Sequence, residues 1–156
     1  SVKERLKGDI MKRVIYCDMD GVVADFNREP NAVARFKVEK GFFANLQPIE
    51  VNVQAVAQLA RENEVYILTA SPNARADQDK KKWLKKHMPF IKKTNIIICR
   101  NGERKVDFMV SEVGILLDDY GVNLEEWAYK QGNIGYKISK AQTIADLLET
   151  INLVNQ

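Results

Sequence analysis

Pairs of polar side chains follow three separate apolar runs of the sequence. They are Asp18 and Asp20, Thr69 and Ser71, and Asp118 and Asp119. Such runs are typical of buried parallel strands, whose carboxyl ends meet at one edge of a sheet, where ligands bind. Four carboxylates gathered there would repel one another unless a divalent cation lay among them, and ligation by oxygen alone suits Mg²⁺ better than Zn²⁺. The pattern therefore predicts a magnesium site at the edge of a sheet.

The same edge is suited to holding a phosphate group. Thr69 ends the second apolar run and Pro72 lies just inside the helix that follows, so the free backbone N–H groups of that helix would face an anion. Lys80 and Lys105 could neutralise the phosphoryl oxygens. Carboxylate, cation, hydroxyl and amine together meet the needs of phosphoryl transfer, which depends mostly on positioning and on stabilising charge.

Strands alternate with helices in the elements that would position these side chains. The apolar runs predict strands at residues 14–17, 65–68, 96–99, 114–117 and 134–138. Helical spacing of apolar residues predicts helices at 51–61, 74–86, 124–130 and 141–153. The alternation predicts an α/β fold with a Rossmann-like, open, mostly parallel sheet flanked by helices.

One domain accounts for the length of the chain. Its 156 residues are 46% hydrophobic, which is enough to bury a core of ordinary size. We expect residues 11–156 to form this domain and residues 1–10 to be an N-terminal extension. Residues 27–47 have no counterpart in a minimal βαβ unit, so we interpret them as a small cap inserted after the first strand.

The composition also limits the class of protein. No run of about 18 apolar residues could cross a bilayer, and no secretory signal follows the charged N-terminus, so we expect a cytoplasmic protein with no membrane partner. The net charge of +3 does not require a polyanion-binding role. Cys17 and Cys99 lie at no metal-ligand spacing from each other or from His87, and we predict that both are buried free thiols.

Five short motifs occur in an order that resembles a known family. They are DMDGVVADF at residues 18–26, GFFANLQP at 41–48, LTASP at 68–72, Lys80 with Trp83, and LLDD at 116–119. Together they resemble the phosphatases of the haloacid dehalogenase (HAD) superfamily, and within it the 5′(3′)-deoxyribonucleotidase branch. The resemblance covers roughly residues 14–138 and implies a HAD-like core.

This resemblance implies a role for each residue of the predicted site. Asp18 would be the nucleophile that forms an aspartyl-phosphate. Asp20 would be the general acid and then the general base, and its backbone carbonyl would join the metal site. Thr69 would bind the phosphoryl group and Lys105 would stabilise its charge, although Arg100 or Arg104 could supply the cation instead.

The remaining roles concern the cofactor and the substrate. Asp118 and Asp119 would complete the Mg²⁺ site with Asp18 and Asp20. The substrate-binding set would be Phe26, Phe43, Thr69, Ser71 and Lys80. The implied activity is a Mg²⁺-dependent phosphatase whose small phosphorylated substrate is a nucleoside monophosphate.

Other substrates and another class of function stay open from the sequence. Another phosphometabolite, such as a sugar phosphate or phosphoglycolate, or a nucleic-acid end could replace the nucleotide. A non-catalytic, regulatory protein that binds a phosphorylated ligand is the alternative outside enzymes. Nucleic acid is not expected as a general partner, because the lysine run at residues 80–86 is typical of a solvated helix face, with Lys80 alone turned toward the site.

Overall fold

A parallel β-sheet forms the centre of the computed structural model, which describes residues 14–155. Its five strands are β1 (Val14–Cys17), β2 (Val65–Ser71), β3 (Ile96–Arg100), β4 (Gly114–Asp118) and β5 (Ile134–Lys137). They lie in the order β3-β2-β1-β4-β5, and each neighbouring pair is parallel. The predicted α/β fold with an open parallel sheet is confirmed. The predicted extension, residues 1–10, lies outside the described residues.

Five α-helices accompany the sheet. They are α1 (Ala32–Arg35), α2 (Glu50–Glu62), α3 (Ala74–His87), α4 (Gly121–Ala128) and α5 (Ile144–Asn155). Short 3₁₀ turns occur at Phe26–Arg28, Phe43–Asn45, Lys93–Asn95 and Lys105–Phe108. None of these described helices is both long and apolar enough to span a membrane.

The predicted start of the last helix was wrong by three residues. The chain enters α5 at Ile144 rather than at residue 141. Thr143 Oγ1 accepts from the Asp146 backbone N–H at 3.2 Å, and Asp146 Oδ2 accepts from the Thr143 N–H at 3.0 Å. This reciprocal pair is a capping box, and it sets where the helix begins. Similarly, α4 begins at Gly121 rather than at residue 124.

Alternate side chains of the strands supply two separate cores. Ile15, Cys17, Ile67 and Leu117 face the larger core, to which α2, α3 and α5 contribute. Tyr16, Leu68 and Leu116 face the other side and pack with Trp127 of α4. Because side chains of a strand point alternately to opposite faces, both faces of the sheet are covered, which accounts for the apolar runs of the central strands.

Helix α3 holds the segment that we interpret as a cap. The Gly41 N–H donates to Asp79 Oδ2 at 3.0 Å, and Trp83 Nε1 donates to the Leu46 carbonyl at 2.8 Å. Arg75 donates to the Val38 carbonyl at 2.9 Å. Residues 27–47 contain only α1, two short 3₁₀ turns and loops, so these contacts with α3 fix the position of the second half of the segment.

Gly114 is the position where we expect a single methyl group to disturb the fold. A Cβ there would lie 2.7 Å from the Tyr16 ring and 3.0 Å from the Trp127 ring. The Tyr16 ring cannot retreat, because its hydroxyl accepts from the backbone N–H groups of Val110 and Ser111 at 3.0 and 3.1 Å. Gly114→Ala should therefore lower the free energy of unfolding by about 1–3 kcal/mol in urea denaturation.

The matched control is Gly121→Ala. A Cβ at Gly121, the first residue of α4, would meet nothing within 4 Å. We expect this variant to unfold at the same urea concentration as the wild type or slightly above it, because alanine favours the helix. Equal stability of the two variants would contradict the packing argument.

Candidate active site

Two carboxylates emerge side by side where β1 and β4 end. Cys17 pairs with Leu117 in the parallel ladder, and the Asp18 N–H donates to the Leu117 carbonyl at 2.9 Å. Asp18 and Asp118, the residues that come next, are therefore neighbours at the carboxyl edge of the sheet. Both are buried, and the side chain of Asp118 has no exposed surface.

Asp119 joins these two carboxylates in a cluster. One carboxylate oxygen from each of Asp18, Asp118 and Asp119 lies within 4.8 Å of the others. Gly21 makes room for Asp119: its φ is +80°, and a Cβ built on it would collide with the Asp119 carboxylate. Three converging carboxylates are the all-oxygen donor set that Mg²⁺ prefers, so the residues present fit the predicted cation.

Lys105 lies between two of the clustered carboxylates. Its Nζ is 2.8 Å from Asp18 Oδ1 and 2.7 Å from Asp118 Oδ2, and its side chain is 3% exposed. Burial alone would lower the pKa of Lys105, but the charges of Asp18 and Asp118 outweigh burial and hold this pKa above its ordinary value. The ammonium is therefore a permanent cation of the site.

The single positive charge of Lys105 does not offset the charges of the three clustered carboxylates. Burial raises the pKa of Asp18, and the nearby charge of Asp20 raises it further against the opposing effect of Lys105. Burial, followed by the charge of Asp18, raises the pKa of Asp118 to about 6. Burial and the charge of Asp118 raise the pKa of Asp119. Additional positive charge at this place would stabilise all three carboxylates in their ionised form.

A second buried ammonium organises the other half of the site. Lys80 Nζ donates to Asp20 Oδ2 at 2.7 Å, to Thr69 Oγ1 at 2.8 Å and to the Ala70 carbonyl at 2.9 Å. Lys80 is completely buried, and its Nζ lies 4.4 Å from the centre of the Phe43 ring. These bonds occupy all three donors of the ammonium and fix the orientation of the Asp20 carboxylate.

The second oxygen of the Asp20 carboxylate, Oδ1, has a different environment from Oδ2. Asp20 Oδ1 is buried and accepts no hydrogen bond from any group in residues 14–155. A buried oxygen without a partner is costly in a folded protein. Asp20 also lines a small cavity, so the carboxylate that carries this oxygen lies beside a space that a ligand could occupy.

This cavity has a volume of about 200 Å³ and largely aromatic walls. Phe26, Phe36 and Phe43 line it, and Pro72 and Asn101 complete its rim beside Asp20 and Ala70. Phe42 packs behind these rings, with its centre 5.7 Å from Phe26 and 5.1 Å from Phe43. The cavity offers flat apolar surfaces next to the free oxygen of Asp20.

Four of the residues at this cavity were not among the predicted site residues: Phe36, Ala70, Pro72 and Asn101. Phe36 lies in the predicted cap, but its sequence context does not separate it from an ordinary packing residue. Asn101 follows β3 directly, so its place at the carboxyl edge of the sheet was the signal that could have identified it.

Several predicted residues lie elsewhere. Ser71 is buried, and its hydroxyl donates to the Asn73 carbonyl at 3.2 Å, so it serves the turn before α3 rather than the carboxylate cluster. Arg100 forms two 2.9 Å bonds with Asp77, and Arg104 bonds with Asp107 at 3.1 and 3.2 Å. Of the three predicted cations, only Lys105 therefore contacts the carboxylate cluster.

The side chain of Asp20 lies beside the cluster rather than in it, because Lys80 holds one of its oxygens. Cys17 and Cys99 are buried free thiols, as predicted. Burial raises the pKa of the Cys17 thiol, which keeps that neighbour of Asp18 protonated and unreactive.

Comparison with known proteins identifies the family. Residues 27–150 match the family described as 5′ nucleotidase, deoxy (Pyrimidine), cytosolic type C protein. A 5′(3′)-deoxyribonucleotidase of Bacillus subtilis (strain 168) is 28% identical in an alignment 148 residues long, which covers 75% of this chain and 81% of that protein. A 5′(3′)-deoxyribonucleotidase of Clostridium acetobutylicum is 33% identical over 89 residues, which are 57% of this chain and 46% of that protein.

Solved structures agree with the fold. The HAD domain of the effector protein Lem4 from Legionella pneumophila superposes with a TM-score of 0.53 at 18% identity, over 92% of this chain and 95% of that domain. A chain of the Pnkp1/Rnl/Hen1 complex superposes with a TM-score of 0.58 at 18% identity, over 83% of this chain and 46% of that one. The protein spans less than half of this second chain. On the family match, the chain belongs to the deoxy 5′ nucleotidase family and is a phosphatase of the HAD superfamily.

Proposed function

We propose that this phosphatase hydrolyses nucleoside monophosphates through a covalent phosphate on Asp18, with Mg²⁺ as its cofactor. The observation that carries the proposal is the pairing of two carboxylates with different environments. Asp18 lies in a buried cluster against Lys105, whereas Asp20 keeps one buried oxygen free beside an aromatic cavity. Carboxylates in such different environments suit the separate tasks of nucleophile and proton donor.

Asp18, Asp118 and Asp119 would hold the Mg²⁺ ion with their carboxylates, and the backbone carbonyl of Asp20 would complete the protein ligands. Bound there, Mg²⁺ would supply positive charge to the oxygens of the transferring phosphoryl group. The remaining catalytic work falls to the side chains of the chain itself.

Asp18 carries out the first displacement. Lys105 contacts this carboxylate at 2.8 Å, favours its ionised form and fixes its direction, so that one oxygen attacks phosphorus while the bond from phosphorus to the ribose oxygen breaks. Asp20, protonated on Oδ1, gives its proton to that leaving oxygen. The products of this step are a nucleoside and an aspartyl-phosphate on Asp18.

Asp20 then acts in the opposite sense. As a carboxylate it takes a proton from a water molecule, whose oxygen attacks phosphorus and breaks the bond to Asp18. Phosphate is released and both carboxyl groups return to their starting states. Lys80 is the positioning residue here, because its bond to Oδ2 leaves Oδ1 as the oxygen that can exchange the proton.

Thr69 is suited to holding the phosphoryl group. Its hydroxyl oxygen accepts from Lys80 at 2.8 Å, and its hydrogen has only a 3.5 Å contact with the Ala70 carbonyl. The hydrogen can therefore turn to a phosphoryl oxygen at little cost.

The aromatic cavity supports a nucleotide as substrate. The rings of Phe26, Phe36 and Phe43 offer flat surfaces for a base. The volume of about 200 Å³ is below the range of pockets that enclose a whole ligand, about 300–1,000 Å³. We infer that the base is held and that part of the nucleotide stays in solvent. The names of the Bacillus and Clostridium relatives are in line with this class of substrate.

The first test of the mechanism is phosphate release by wild type and Asp18→Asn. The assay uses deoxyribonucleoside and ribonucleoside monophosphates, sugar phosphates, phosphoglycolate and a 3′-phosphorylated oligonucleotide, each with Mg²⁺ or EDTA. We expect Mg²⁺-dependent release that is fastest for nucleoside monophosphates, and a loss of several orders of magnitude in the variant. Asp107→Asn, which alters an exposed carboxylate paired with Arg104, is the control and should retain activity.

Other results of this assay would contradict either the proposed substrate or the proposed mechanism. Faster release from a sugar phosphate or from the oligonucleotide would contradict the proposed substrate and leave the mechanism standing. Undiminished release by Asp18→Asn would contradict the mechanism itself.

Metal binding can be tested without turnover. Because a ligand that binds only the folded state stabilises it, Mg²⁺ at a hundred times its dissociation constant should add about 2.7 kcal/mol to the stability of the wild type. Asp119→Asn removes one carboxylate of the cluster and should abolish most of the rise in Tm, whereas Asp107→Asn should keep it. An equal rise in Asp119→Asn would place the metal elsewhere.

The buried ammonium of Lys80 gives a third test. Lys80→Met would leave Asp20 Oδ2 and Thr69 Oγ1 without their donor, so the free energy of unfolding should fall by about 3–5 kcal/mol. Phosphate release should fall as well. Lys86→Met, an exposed lysine of the same helix, should change neither property.

A double variant separates the Asp20 contact from general damage to the core. In Lys80→Met/Asp20→Asn the uncompensated charge is gone, so part of the lost stability should return. Strictly additive losses in urea denaturation would mean that Lys80 does not act through Asp20.

A further inference from the structure

A groove lined by lysines lies on the outer side of α3. It has a volume of about 570 Å³ and runs between α3 and the chain that leads into β3. Lys81, Lys82 and Lys85 line it from the helix, and Lys93 lines it from the opposite wall. It shares no lining residue with the aromatic cavity beside Asp20, so it is a separate surface of the protein.

No ion pair within residues 14–155 neutralises the positive charge of this groove, although Lys81 acts electrostatically on Asp77. No acidic residue lines the groove, and no carboxylate lies within ion-pairing distance of these four lysines in the part of the chain that the structure describes. Both acidic residues of α3 have other partners. Asp77 binds Arg100, and Asp79 accepts from the Gly41 N–H.

Part of the lining of the groove is apolar. Leu84, Ile91 and Ile96 line the groove beside the lysines; Leu84 and Ile91 are buried, and Ile96 is half-buried. A solvated helix face has no need of such a lining. The groove therefore combines fixed positive charges along its walls with a surface that favours flat, weakly polar groups.

We propose that this groove binds single-stranded nucleic acid. Lys81 and Lys85 are four residues apart on α3, which separates them by about 6 Å along the helix axis, similar to the spacing of successive phosphates in an extended strand. The lysines would contact the phosphates while the bases cover the apolar lining, as in other sites for single strands. A lone phosphate ion would use the charge and make no use of the apolar lining.

This binding site goes beyond the phosphatase activity and does not depend on it. Lys80 faces the catalytic side of α3, whereas the four groove lysines are outside the site described above. The proposal therefore predicts a binding property that persists in a protein without turnover.

The test is the fluorescence anisotropy of a labelled single-stranded oligothymidylate that has no terminal phosphate, titrated with the full chain at several NaCl concentrations. Each phosphate contact should contribute about −0.7 to the slope of log K against log[salt]. In Lys81→Gln/Lys85→Gln the affinity should fall at least tenfold and the slope should become shallower by about 1.4, because two contacts are lost.

Arg61→Gln/Lys130→Gln is the matched control. It removes the same net charge from two exposed positions that do not line the groove, and it should keep the affinity within about twofold. Both double variants should release phosphate from a nucleoside monophosphate at the wild-type rate, which excludes misfolding. An equal loss of affinity in both, or no binding by the wild type at low salt, would overturn the proposal. Tighter binding of a polyglutamate peptide than of the oligonucleotide would also overturn it, in favour of an acidic protein partner.

Discussion

The buried ammonium of Lys105 is the interaction on which the rest of the site depends. Adjacent parallel strands end in Asp18 and Asp118, and these two carboxylates would repel each other at a buried sheet edge. Lys105 contacts both at 2.7–2.8 Å from the turn that precedes β4. Breaking either contact would leave a buried charge unpaired, which is strongly destabilising. The two ion pairs of Lys105 therefore hold the turn against the sheet and also orient the two carboxylates.

In the other half of the site, the buried ammonium of Lys80 pairs with the Asp20 carboxylate. It also lies against the ring of Phe43, which lines the cavity. Its ammonium joins Asp20 to Thr69, while its neighbours on α3 hold the segment above: Asp79 accepts from Gly41 and Trp83 donates to Leu46. One helix therefore positions the proposed proton donor, the hydroxyl proposed to bind phosphate and the aromatic wall of the cavity. A shift of α3 would disturb all three together, so its packing against the core bears directly on the chemistry.

The sequence predicted the sheet well because the signal is local. An apolar run that ends abruptly in a polar pair marks a buried strand that reaches the edge of a sheet, and all five predicted strands are present. A local pattern of this kind does not indicate which residues far apart in the sequence will contact each other. Nothing in the local pattern indicates that Arg100 binds Asp77, which lies 23 residues earlier on α3. The start of α5 was missed although Thr143 and Asp146 carry a capping signal.

The lysine run of α3 shows how one stretch of sequence serves two environments. Ala76, Lys80, Trp83 and Leu84 recur at helical spacing and are all buried, so Lys80 occupies a core position of the helix. Lys81 is one residue further on and about 100° around the axis, which carries it to the exposed side. The positions of the apolar residues on α3 thus determine which ammonium is buried, where polar groups of the protein must stabilise it in place of water. The others stay in water, where their charge is open to a partner outside the chain.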